Sequence, residues 1–355
     1  MKITFITSTL HSGGSERVMS LLANALSERG YVIEIICLNR HEVFYPIVKT
    51  VQIRFAEEEC NSKFIGNKMV WLRKHILNVQ PDVVIAFMVE VYCVTLATMV
   101  GLKIPVISSE RIDPHFFGKA KGFLRWLLLR RTTHLVVQTE QIKSFYSSKI
   151  QKKTTIMPNP VTNDVFNISS IVKKEKRIIA VGRLAYQKNY PLMFQAFASL
   201  ADEFPDYKLI VFGEGPQREE LEKEILRLGM EGRILMPGRT DRIIDELNKS
   251  QLFCMSSDYE GMSNAMLEAV CMGVPVVTTD VSGARDLVID SKGGFVVEKR
   301  DLCQFENAIK MLLKDKERMK EMSAFNREKA SAFKEDNIVD QWERLIVKVI
   351  ECNRE

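Results

Sequence analysis

A chain of 355 residues, 46% hydrophobic and 27% charged, is long enough for two soluble globular domains, each with a full core. Seven scattered cysteines, none in a Cys-x-x-Cys pair, speak against a disulfide frame or zinc site and for reduced thiols in a cytosolic protein. The net charge of +5 is unevenly placed: residues 1–165 hold 21 Lys and Arg against 13 Asp and Glu, a net of +8, and the remainder is 29 against 32, a net of −3. A basic first half suits an anionic partner. No compact run of five basic residues occurs, so a phospholipid surface or a phosphorylated acceptor fits at least as well as nucleic acid. No secretory leader is expected, because Met1 and Lys2 run straight into a strand-like segment. The most membrane-like stretch, 83–100, carries Glu90 in its middle and splits into a strand and a helix.

The opening reads strand (3–7), glycine loop (Ser12-Gly13-Gly14-Ser15) and helix, with Val18, Leu21, Leu22, Ala25 and Leu26 as its apolar stripe. A second strand at 31–38 completes a βαβ start. Only the paired glycines are present, not Gly-x-Gly-x-x-Gly; they serve either a turn or a close approach to a phosphate. Strand 51–55, helix 63–79, strand 82–87, helix 91–100 and strand 104–108 follow. Glu90, Glu110 and Arg111 come at strand ends, where open α/β sheets gather ligands, and are expected to line a cleft, with Glu90 the one most readily read as an ordinary loop residue. In helix 63–79, Ile65, Met69, Leu72, Ile76 and Val79 form the expected core stripe. Phe64, Lys68, Trp71 and His75 form a second face, either a shallow membrane contact or the margin of a wide core. Residues 119–131 are also basic and apolar, with charges spread around the wheel.

Strands 134–138 and 154–157 precede Pro158-Asn159-Pro160 and a polar stretch to Lys176, the clearest linker in the chain. A fresh βα series begins at 177–181, with strands at 209–212, 234–236, 252–255, 274–278 and 295–297 and a last helix over 337–351. Arg183 and Lys188 leave the end of the first of these strands together, and an Arg grips two phosphate oxygens where a Lys supplies a point charge. Gly213-Glu214-Gly215-Pro216 and Pro237-Gly238-Arg239 end the next two strands and are expected to admit the flat face of a base. Strand 252–255 leads into Glu260-Gly261-Met262-Ser263-Asn264, where a helix begins at Ser263 or Asn264. Glu260 then sits in the loop and Glu268 just over a turn inside the helix. Amides of Gly261, Met262 and Ser263 would favour an anion at the helix start.

These motifs together resemble the family 4 glycosyltransferases of the GT-B type, and most nearly the bacterial enzymes of lipid-linked oligosaccharide and capsular or exopolysaccharide synthesis. The resemblance runs through Ser12 to Arg17, Ser109-Glu110-Arg111, Pro158-Asn159-Pro160, Val181 to Leu184, Lys188-Asn189, Gly213 to Pro216 and the Glu260–Glu268 motif. It implies an α/β fold of two Rossmann-like domains facing across a cleft. The acceptor domain would be 1–165 and the donor domain 166–335, with 336–355 crossing back to the first. Donor-side residues implied are Gly13 and Gly14 near the diphosphate, Arg183 and Lys188 on the leaving group, and Gly215 and Arg239 beside the base. Glu260 with Gly261, Met262 and Ser263 would meet the transferred sugar and phosphate, and Glu268 the ribose. Glu260, Arg183 and Lys188 carry the catalytic assignment; His11, Glu110 and Arg111 are the acceptor-side candidates. Many relatives have a His where this chain has Arg111.

The implied reaction is retaining and metal-independent, with no cofactor, which agrees with the lack of any Asp-x-Asp in the chain. The donor is a nucleotide-sugar, a UDP-sugar first, and the acceptor a glycan on polyprenyl diphosphate. Contact with an anionic membrane at the inner face of the cytoplasmic membrane is expected, and no nucleic acid. Rival readings are a non-catalytic nucleotide-sugar-binding protein and a nucleotide-sugar epimerase on the same fold.

Overall fold

Ile3 and Phe5 point to one side of the first strand and Ile6 to the other, and the same alternation recurs along each strand that follows. The central strands are apolar on both faces and must be covered on two sides, which is the condition for a parallel sheet between helices. A computed structural model describes residues 1–116, 119–166 and 173–354. The chain divides into two compact units, Met1–Pro160 with Asp336–Glu355, and Val161–Glu335.

In the first unit, β1 (Lys2–Thr7), β2 (Val32–Cys37), β3 (Gln52–Phe55), β4 (Val83–Phe87), β5 (Val106–Ser109), β6 (His134–Val137) and β7 (Thr154–Ile156) form one sheet. The order is β3-β2-β1-β4-β5-β6-β7 and the pairings are parallel. One face packs Ile3, Phe5, Ile33, Ile35, Val83 and Ile85 against the helix Gly14–Glu28 and the last helix, Glu335–Arg354. The other packs Ile6, Ile36, Val84 and Ala86 against Leu72, Ile76, Tyr92 and Leu96. From the last helix, Ile338, Trp342, Ile346 and Val349 enter the first face, and Trp342 stacks on Phe87 with centroids 6.0 Å apart. Tyr31 and Arg29 both donate to the Glu343 carboxylate, so the helix is held by charge as well as packing.

The second unit repeats the scheme with β8 (Arg177–Val181), β9 (Lys208–Phe212), β10 (Ile234–Gly238), β11 (Leu252–Met255), β12 (Val276–Thr279) and β13 (Gly294–Val297). Their order is β10-β9-β8-β11-β12-β13, again parallel. Leu209, Val211, Leu252 and Cys254 face the helices Tyr190–Leu200 and Leu302–Lys314; Ile179, Phe253 and Val276 face the helix Asn264–Cys271. Val161 bridges Lys334, so the chain enters and leaves this unit at one place. Part of the expected linker, 167–172, lies outside the described residues.

The helix Ile65–Val79 buries Leu72 and Ile76 of its expected stripe, with Met69 and Val79 half-buried, and departs from it at Ile65 and Lys68. Lys68, Leu72 and Ile76 are its buried residues, whereas Ile65 is exposed. The cause is polar. Glu34 on β2 is buried under this helix and draws His75 (2.9 Å) and Arg54 (2.9 Å), while Lys68 donates to Asn39 (2.7 Å). Trp71 stacks on His75 at 4.9 Å. Of the face offered to a membrane, only Phe64 stands exposed.

Trp342 is fully buried. Trp342→Ala should cost the first unit about 3–5 kcal/mol. Hydrogen exchange should show faster opening of β1 and β4, with β8 and β11 unchanged.

Candidate active site

Loops leaving the carboxyl ends of an open parallel sheet diverge where the strand order reverses, and ligands bind in the crevice that results. In Val161–Glu335 this point falls between β8 and β11, which pair through Ile178 with Leu252 and Ile179 with Phe253. The loop after β8 carries Arg183 and Lys188, and the loop after β11 carries Glu260.

The two loops are fastened to each other through their backbones. Ser256 Oγ donates to the carbonyls of Lys188 and Asn189, both at 2.9 Å. The Asp258 amide donates to the Gln187 carbonyl at 2.8 Å, and Gln187 Nε2 donates to the Tyr259 carbonyl at 3.1 Å. Asn189 takes a left-handed conformation (φ 46°) that ends the turn and starts the helix Tyr190–Leu200. These bonds place Lys188 Nζ 2.6 Å from Glu260 Oε1. Ser257 Oγ donates to the same oxygen at 2.8 Å, and Thr279 at the end of β12 donates to the Ser257 carbonyl at 2.6 Å. Glu260 Oε2 accepts no hydrogen bond from the described residues. Lys188 has three donors and spends one on Glu260, so two are left for an anion.

Glycines permit this closeness. A side chain on Gly182 would collide with Lys188 Cε at 2.9 Å, so the lysine lies across the bare backbone. Gly213 has φ 149°, and a Cβ there would sit 1.9 Å from the Gly182 carbonyl oxygen. A Cβ on Gly215 would meet the Leu184 carbonyl oxygen at 2.2 Å. The space expected to admit a base at these glycines is therefore filled by the neighbouring loop.

Arg183 is exposed and makes no ion pair or hydrogen bond among the described residues. Arg239, after β10, is also exposed; behind Arg218, its charge helps hold the Glu214 carboxyl below its ordinary range. Gly261, Met262 and Ser263 are buried, and Ser263 caps the helix Asn264–Cys271 by accepting from the Met266 amide. Glu268 is buried within that helix. Sequence reasoning missed Ser257, Thr279, Asp258 and Arg300. Arg300, itself left-handed at φ 62°, reaches Asp258 at 2.8 Å from 42 residues away, and only the sheet order brings them together.

In the first unit the strand order reverses between β1 and β4. Gly13 and Gly14 follow β1 and open the helix Gly14–Glu28; His11 lies among His41 and Phe44, its ring 5.9 and 6.2 Å from theirs. Glu90 is exposed at the start of the helix Val89–Thr98. Glu110 does not line a cleft. It is fully buried, accepting from the hydroxyls of Tyr92 (2.7 Å) and Tyr146 (2.5 Å), with Arg125 at 4.0 Å. Burial pushes its carboxyl above the ordinary value against the pull of Arg125 and the two phenols. Arg111 is also buried: it donates to Ser109 and Asn159 and lies over the rings of Phe87 (4.7 Å) and Trp342 (5.8 Å). Desolvation lowers its pKa to about 9. Neither residue faces solvent: Tyr92, Tyr146 and Arg125 enclose Glu110, and the rings of Phe87 and Trp342 lie against Arg111.

The family description "Glycosyl transferases group 1" matches residues 161–329, and "Glycosyltransferase Family 4" matches 12–165. The chain belongs to the family 4 glycosyltransferases. This glycosyltransferase is 29% identical to the GalNAc-alpha-(1->4)-GalNAc-alpha-(1->3)-diNAcBac-PP-undecaprenol alpha-1,4-N-acetyl-D-galactosaminyltransferase of Campylobacter jejuni, over 98% of this chain and 99% of that one. It is 23% identical to the amylovoran biosynthesis glycosyltransferase AmsD of Erwinia amylovora, over 95% and 96%. The crystal structure of Anabaena HepE in complex with UDP superimposes with a TM-score of 0.82 at 17% identity, covering 98% of this chain and all of that one. The fold of the glycosyltransferase is thus the expected GT-B class, with two Rossmann-like units.

Gly213→Ala in this glycosyltransferase should cost about 1–3 kcal/mol, since the new methyl must displace the Gly182 backbone. Thermal unfolding of the second unit should start earlier, and the same change at Gly122, where a Cβ meets nothing within 4 Å and φ is not left-handed, should cost less.

Proposed function

We propose that this glycosyltransferase moves a sugar from a UDP-sugar to a glycan carried on polyprenyl diphosphate, with retention of anomeric configuration and without a metal ion. The observation that carries the reading is the Lys188–Glu260 contact of 2.6 Å at the strand-order reversal of the second unit, with the exposed cation Arg183 on the same loop. A diphosphate departing from an anomeric carbon needs fixed positive charge, and Lys188 and Arg183 supply it without reorganisation. Glu260, held by Lys188 and Ser257 through one oxygen, turns the other to the hydroxyls of the transferred sugar.

The bond from the anomeric carbon to the diphosphate breaks as the acceptor oxygen attacks from the same face. The departing phosphate oxygen takes the acceptor's proton, and a nucleoside diphosphate leaves. Arg239 is assigned to the base and Glu268 to the ribose. Metal independence is supported by the cation set on the β8 loop and by the lack of Asp-x-Asp in the sequence. The UDP choice is supported by the HepE complex, and the lipid-linked acceptor by the undecaprenol named for the Campylobacter relative. That relative forms an alpha linkage by its name, and an alpha product from an α-configured sugar nucleotide keeps its configuration. The basic half of the chain, net +8, is assigned to the acceptor and to anionic lipid at the inner face of the cytoplasmic membrane.

Incubation with UDP- and GDP-sugars and a bacterial lipid extract tests this. Nucleotide released only when the extract is present supports transfer; interconverted sugars mean an epimerase, and binding without turnover means a carrier. Activity should persist in excess chelator. Arg183→Ala should weaken UDP-sugar binding by about 1.5–3 kcal/mol, roughly ten- to a hundredfold in Kd by calorimetry, with the fold intact because the side chain is exposed. Glu260→Ala should lower turnover by roughly a thousandfold or more while UDP alone still binds; full turnover in that variant rejects its assignment.

A further inference from the structure

The helix Lys119–Leu129 is turned the wrong way out for a soluble surface. Phe123 is 65% exposed, Leu124 52%, Trp126 46% and Leu127 45%. At 100° per residue these four positions share one arc of roughly 160°. The opposite side carries Arg125, which is buried within 4.0 Å of Glu110 and lies over the Phe145 ring at 5.0 Å, together with the buried Leu129. The helix therefore tucks Arg125 inward and presents large apolar groups outward. Four such side chains within five residues make a contiguous patch, which single exposed apolar residues elsewhere do not.

We propose that this face docks the enzyme on an anionic lipid bilayer, with Phe123, Leu124, Trp126 and Leu127 in the headgroup–acyl boundary. The charges bordering the patch select this occupant. Arg130 lies 4.1 Å over the Trp126 ring, and Arg131 beside it is exposed, so cations flank the apolar arc as they do on interfacial helices. Trp126 also has the amphipathic ring that favours a membrane–water boundary. A two-fold contact with a second copy would bring two sets of these arginines together, which a bilayer rich in anionic lipid does not. The surface expected for this role, Phe64 to His75, is excluded by its own packing, since Lys68 is buried and His75 is paired with Glu34. The inference rests on the proposed lipid-linked acceptor: a glycan tethered by a polyprenyl tail is reached only at a bilayer surface.

The test is flotation of the full chain with phosphatidylcholine vesicles, with and without phosphatidylglycerol, in the absence of donor and acceptor. Wild-type protein should float with the anionic vesicles. Tryptophan emission should shift to the blue, and Trp126→Phe should remove the shift. Phe123→Ser with Leu127→Ser should weaken partitioning roughly tenfold or more, with unchanged circular dichroism and UDP-sugar affinity. Arg130→Gln with Arg131→Gln should weaken it and flatten its salt dependence. Wild-type protein that stays unbound, or a serine variant that floats equally well, overturns the proposal. So does a wild-type dimer in light scattering that the serine variant dissolves, which assigns the face to a second copy. Vesicle binding without sugar transfer would leave the docking surface standing and remove the proposed reaction instead.

Discussion

An ammonium and a carboxylate 2.6 Å apart, both largely withdrawn from water, keep one geometry only where the surrounding chain holds them. In this enzyme the Ser257 hydroxyl and the backbone bonds between the β8 and β11 loops do that work. Those bonds exist because β8 and β11 are neighbours in the sheet although their first positions, Arg177 and Leu252, are 75 apart in sequence. The glycines at 182, 213 and 215 follow from the same requirement, since three loops must approach at backbone distance. Were the strand order different, Lys188 and Glu260 would be two ordinary loop charges.

The alternation of strands and helices was legible because the central strands are apolar on both faces, and that pattern has few other solutions. The loop residues of the second unit were legible for a related reason: Arg183, Lys188 and Glu260 each leave the carboxyl end of a strand. Which strands stand together is not written locally. Ser257 and Thr279 therefore gave no signal, and neither did Asp258 and Arg300, whose contact crosses from one loop to another far along the chain. Gly213 and Gly215 were visible as glycines, yet their reason, a neighbouring backbone, was not.

Buried charge is where periodicity misled most. Apolar spacing pointed Ile65 inward and left Lys68 at the margin, but Ile65 is exposed and Lys68 is buried, with Asn39 accepting from it and Glu57 3.5 Å away. Glu110 and Arg111 followed a strand end and were read as cleft residues; the structure instead gives them internal partners. Arg125 shows the complement of this effect. Its attraction to the buried Glu110 turns one side of its helix inward, and the apolar residues on the other side are left to the surface.

The two sheets share a topology and differ in what their strand ends retain. At the ends of β5, β6 and β7 the polar groups turn to one another: Arg111 and Gln138 both donate to Asn159 Oδ1, and Glu110 accepts from two phenols. At the ends of β8 and β10, Arg183 and Arg239 remain exposed, and Lys188 keeps donors beyond the one given to Glu260. Fixed positive charge open to an incoming anion is therefore a property of the second unit's strand ends. In the first unit His11 after β1 and Glu90 after β4 are exposed at the strand-order reversal. Each unit thus keeps polar groups open to solvent at the point where the fold itself makes a crevice.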